Sequence, residues 1–107
     1  MANTFKNAGV AIGNTNTTLY TCPVSTTTVV HVVYISNVDG TNDATIDLYV
    51  TDTSAGSDFY IMKTVDVPAD STLVIEKPIN LEAGDVLKAV ASANGDLQAF
   101  ASVLEIT

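Results

Sequence analysis

The sequence has 107 residues, 47% hydrophobic and only 15% charged, a balance that excludes intrinsic disorder and suits one domain with a real core. Four lysines, no arginine and twelve carboxylates leave a net charge of −8. That excludes a cationic patch able to displace the counterions of nucleic acid or to hold an anionic membrane surface.

No apolar run approaches the roughly 20 residues of a membrane-crossing helix. The opening Met-Ala-Asn-Thr-Phe-Lys lacks the apolar stretch of a secretory signal. A lone Cys22 rules out an internal disulfide framework and reads as a small core residue. Synthesis and folding in a reducing cytoplasm are expected.

In chain order, residues 1–16 hold Gly9, Gly13 and several asparagines around a weak apolar patch, Val10 to Ile12, and read as an arm or edge segment. Residues 17–107 read as the folded domain. Thr18 to Cys22 is a short strand stopped by Pro23. Thr27 to Asn37 is the strongest strand, apolar on both faces. Asp39-Gly40 marks a turn. Ala44 to Asp52 alternates, with Ala44, Ile46, Leu48 and Val50 on one side and Thr45, Asp47, Tyr49 and Thr51 on the other.

Asp58 to Val67 is a further strand, ended by Pro68. Thr72 to Lys77 follows, and Pro78 limits ladder pairing beyond it. Leu81 to Asp85 is a tight turn before a strand from Val86 to Ala93. Asn94-Gly95 is a hairpin signal, and Leu97 to Ile106 closes the domain. Seven to eight strands with regular turn signals, and no segment of helical period, predict an all-β antiparallel sandwich, with or without jelly-roll wiring.

The chemistry-bearing residues are sparse. His31 lies mid-strand between Val30 and Val32, and neither it nor Cys22 has an evident catalytic partner. One Cys and one His cannot make a zinc cluster. The oxygen-rich run Asp39-Gly40-Thr41-Asn42-Asp43 suggests calcium but lacks the ligand order of a helix–loop–helix site, so a plain hairpin loop is favoured. Most aspartates fall in turns, where they cap backbone amides. No enzyme activity, cofactor, metal, nucleic acid or membrane partner is expected.

Surface adhesion remains. Val30, Val32 and Tyr34 are read on one face of the second strand, and Ala99, Ala101 and Val103 on one face of the last. A small sandwich hides only one face of each sheet, so these six residues are expected at an oligomer or partner interface. A glycan-binding sandwich, with Tyr20, Tyr34, Tyr49 or Tyr60 stacking on sugars, is a reading from another class.

From Leu19 onward, the strand order, the turn Leu-Glu-Ala-Gly-Asp-Val-Leu-Lys at residues 81–88 and the terminal Ser-Val-Leu-Glu-Ile at residues 102–106 resemble small virion structural proteins of tailed bacteriophages, especially those of marine hosts and cyanobacteria. The resemblance implies a capsid decoration (cement) protein. Such a protein would form trimers, bind the major capsid protein or other virion proteins, and sit on the outer capsid surface after assembly in the host cytoplasm. A neck, tail or fibre location is the alternative it leaves open.

Overall fold

Valine, threonine and isoleucine suit pleated backbone, and the Gly, Asn and Asp clusters between them suit turns. A computed structural model describes residues 2–107. Its nine strands are β1 (Asn3–Ile12), β2 (Thr17–Thr21), β3 (Thr27–Asn37), β4 (Ala44–Asp52), β5 (Ser57–Val67), β6 (Thr72–Ile75), β7 (Ile79–Leu81), β8 (Val86–Ala91) and β9 (Leu97–Ile106).

Two antiparallel sheets result. One runs β1-β9-β3, with β6 and β7 lying end to end along the far side of β3; the other runs β2-β8-β4-β5. The chain passes from sheet to sheet at every connection except the β4–β5 hairpin and the β6–β7 break around Pro78. Counting β6 and β7 as one position gives eight positions wired as a jelly roll. The expected sandwich is present, and the wiring is the jelly-roll alternative. Strand β7 was not anticipated, because Pro78 and the following glycine turn obscure three residues that pair with Thr28–Val30.

Residues Asn3–Ile12 lie along β9 as the sheet's outer strand. Ala44, Ile46 and Leu48 of β4 point into the core as the alternation predicts, joined by Ile12, Leu19, Val33, Ile35, Val67, Leu81, Leu87 and Leu97. Alanines at 89, 91, 99 and 101 lie between the sheets among these larger side chains.

Strand β3 corrects the reading of its own faces. Val30 pairs with Val103 but Val32 pairs with Ser102, so His31 is an extra residue in the ladder. Such a bulge reverses the in–out alternation beyond it. Val30, Val33 and Ile35 therefore point inward, while Val32 and Tyr34 point outward. Four of the six residues expected at an interface, Val30, Ala99, Ala101 and Val103, are sealed between the sheets. At the centre of β9 the small Ala99 and Ala101 face inward, and the aromatic Phe100 faces out.

Candidate functional site

Residues directly opposed in an antiparallel ladder share a face, so the register defines the outer surface of the five-stranded sheet. It carries Phe5, Asn7, Gly9 and Ala11 from β1, Gln98, Phe100, Ser102, Leu104 and Ile106 from β9, Val29, Val32, Tyr34 and Ser36 from β3, and Val74 from β6. Phe100, Tyr34 and Val74 form one cross-strand row, and Phe5, Leu104 and Val29 a second. Phe5 is 77% exposed, Phe100 45%, Val74 41% and Tyr34 40%.

None of the strand residues that the register places on this surface is Lys, Asp or Glu; the nearest charges beside it, Glu76 and Lys77, lie at its rim in the break between β6 and β7. His31 is exposed at the bulge and stacked on Phe5, with ring centroids 6.1 Å apart. Shallow hollows lie on either side of Phe100, one against Gly9 and Ala11 and the other against Phe5 and Asn7.

The outer face of the four-stranded sheet is the opposite in character. Asp47, Asp58, Asp66 and Lys88 project from it in the ladder. Lys63 lies 4.7 Å from the centre of the Tyr60 ring and 3.4 Å from Asp47. Charges on a docking face must be stripped of water, which is why the centres of protein interfaces are poor in them. Of the two broad faces, the five-stranded one is the face suited to contact.

The remaining candidates are held apart or already occupied. Cys22 is buried, with its thiol 3.2 Å from Thr28 Oγ1 and 3.3 Å from the Thr26 carbonyl, whereas His31 is exposed on the outer face. In the 39–43 loop, the Asp39 carboxylate accepts the amides of Thr41 and Asn42, which hold it below the usual carboxylate range, and Asp43 accepts the amide of Ala69. These carboxylates are turn caps.

A different acidic group, Asp52, Glu82 and Asp85, comes together where the turns after β4 and β7 meet; sequence spacing gives no hint of it. Its oxygens also have donors. Asp85 accepts Thr53 N, Thr53 Oγ1 and Glu82 N, and Asp52 accepts Ser54 N and Oγ.

The tyrosines do not gather into one platform. Tyr34 lies on the five-stranded face. Tyr60 and Tyr49 pack against each other on the other sheet, 4.9 Å between centroids, and the Tyr49 hydroxyl donates to Asn16 at 2.6 Å. Tyr20 points toward the interior, where its hydroxyl is 2.5 Å from Glu105 and 2.9 Å from Thr28 Oγ1.

No protein-family model matches the sequence, and no curated protein matches it. Among solved structures, the chain is similar to a chain in the acid-stable capsid of Helicobacter pylori bacteriophage KHP30, with a TM-score of 0.59 at 12% identity over 100% of this chain and 89% of that one. It is also similar to a subunit of Bacillus endospore appendages, which are disulfide-linked pili, with a TM-score of 0.56 at 15% identity over 99% and 87% of the two chains. A third likeness is to a chain of infectious bursal disease virus, Gx strain, with a TM-score of 0.52 at 11% identity over 97% of this chain and 31% of that one. At such identities the likeness shows the fold.

Proposed function

We propose that this chain is a non-enzymatic structural protein of a virus particle. In its specific form, it is a capsid decoration (cement) protein that associates with its own copies and with the shell formed by the major capsid protein. The observation that carries this reading is the five-stranded outer face, apolar at Phe5, Tyr34, Val74 and Phe100 and with no Lys, Asp or Glu among its paired strand residues, in a chain of net charge −8. A patch of this kind marks a protein contact. The carboxylates elsewhere keep free subunits soluble before assembly. The jelly roll shared with a capsid chain of phage KHP30 and the sequence resemblance to tailed-phage virion proteins support the same reading.

A repeated shell makes modest contacts cumulative through multivalency. The charged four-stranded face would then look toward solvent, on the outside of the particle. Antibodies against the chain test this on purified particles. Gold labelling of intact capsids, with hundreds of copies per particle by quantitative mass spectrometry, is the expected result. Absence of the chain from purified particles would overturn it.

A further inference from the structure

Sheet edges expose unpaired backbone donors and acceptors, and proteins normally blunt them with short strands, bulges, charges or proline. Three edge positions of this sandwich are blunted. β2 is five residues long, bulged between Thr18 and Tyr20, and followed by Pro23. The β6–β7 edge is split at Pro78 into strands of four and three residues. β5 slips register twice against β4, has Thr64 at φ +52°, and carries Asp58, Lys63 and Asp66. β1 is different. It is ten residues long, pairs without a register slip along β9, contains no proline and carries one charge, Lys6.

The ladder shows which β1 groups are free. Ala2 and Thr107 exchange both backbone hydrogen bonds. Hydrogen-bonded pairs alternate along an antiparallel ladder, so the even-numbered residues of β1 bond to β9. The N–H and C=O groups of Asn3, Phe5, Asn7, Gly9 and Ala11 then point to the open side.

We infer that the open edge of β1 pairs antiparallel with β1 of a second copy, about a two-fold axis at Asn7. This register sets Asn7 opposite Asn7, Phe5 opposite Gly9 and Asn3 opposite Ala11, each through groups already aimed at the edge. It overlaps the strand along its whole length and places Lys6 opposite Ala8, not opposite its own counterpart. A register one step shorter would bring the two lysines face to face, and like charges directly opposed destabilise a ladder.

Side-chain shape agrees. Gly9 leaves the hollow beside Ala11 and Phe100 open; a Cβ there would already lie 3.3 Å from the Phe100 ring. The Phe5 ring of the second copy enters next to that hollow, an aromatic side chain covering a glycine across the strand pair. The uncharged outer faces of the two copies become one continuous surface. The contact belongs to the isolated chain and does not require that it reside in a virus particle.

Sedimentation velocity of the purified chain tests the pairing, with about twice the monomer mass of 11.2 kDa expected. Asn7→Pro removes an outward N–H that β9 does not use, so it should return the chain to monomer with little change in melting temperature. Phe5→Lys, at a side chain already in water, gives a second route to the same loss. Asn7→Cys should oxidise to a covalent dimer, since hydrogen-bonded antiparallel partners stand about 5.5 Å apart at Cα, within disulfide reach. A chain that stays monomeric at millimolar concentration, a trimer, or a dimer that survives both Asn7→Pro and Phe5→Lys would each overturn the proposal.

Discussion

The Tyr20 hydroxyl on β2 donates to the Glu105 carboxylate on β9 across the sandwich at 2.5 Å, and Lys6 on β1 closes the same carboxylate from the other side at 2.9 Å. Glu105 is buried, so the two contacts replace the water its charge has lost. Three strands from both sheets meet at this one side chain.

Titration should reveal that arrangement from both ends of the pH scale. The Tyr20 hydrogen bond, then Lys6, hold Glu105 below its ordinary range. Its stabilisation is therefore complete above the pKa of a glutamate in the unfolded chain, about 4.3, and fades as pH falls through the lower folded value. Burial, then Glu105, push Tyr20 up to about 12 from 10.0, so its contribution is complete below pH 10.0 and fades as pH rises toward about 12. Melting curves should show both losses. In Tyr20→Phe the alkaline loss shrinks to what Tyr49, also raised by burial, still contributes, the acid loss shrinks, and neutral stability falls by about 1–3 kcal/mol.

Asn37 ends β3 by tying the loop that follows it to the end of β5. Its Nδ2 donates to the carbonyls of Asn42 and Val67, and its Oδ1 accepts the amide of Asp39. Asn37→Leu fits the volume but leaves those groups without partners in a buried place. Denaturant unfolding should report a loss of about 1–3 kcal/mol, more than an exposed asparagine would give.

Gly84, in the turn that leads into β8, has φ +89°, and an added Cβ would meet Thr53 Oγ1 at 3.2 Å. That hydroxyl donates to Asp85, so the substitution strains the backbone and disturbs the Asp85 cap together. Gly84→Ala should destabilise by about 1–2 kcal/mol from the left-handed backbone alone. Gly95→Ala has a similar φ of +85° with open space around it, and calibrates the backbone part.

The outer face should separate binding from folding. Tyr34→Lys with Phe100→Lys places charge on partly exposed positions and should shift stability by no more than about 0.5 kcal/mol each. Reattachment of the double variant to particles stripped of the wild-type chain should be lost. The reverse pattern, an unfolded variant or undiminished attachment, would show that this face holds the fold and not a partner.

Much of the fold was legible because strand pattern and turn chemistry agree locally. Thr27–Asn37, Ala44–Asp52 and Leu97–Ile106 emerge with the bounds their sequences predict, and the regular turns imply a sandwich. The faces of β3 were not legible, since a bulge at His31 reverses the alternation with no glycine or proline to announce it. In β9 the rule that large apolar residues go inward holds at Leu97 and Val103 but fails between them: Ala99 and Ala101 occupy the interior and Phe100 the surface. A surplus of apolar surface could be read from composition. Its placement on the five-stranded sheet required the register.

The two broad faces also give the molecule a sidedness that matters in handling it. With Asp47, Asp58, Asp66 and Lys88 on one broad face and the rows holding Phe5, Tyr34 and Phe100 on the other, a free copy will settle at an air–water or carbon boundary with the second face downward. Thin aqueous films should therefore present the subunit in a narrow range of views. Detergent that wets the boundary should randomise them without touching the fold.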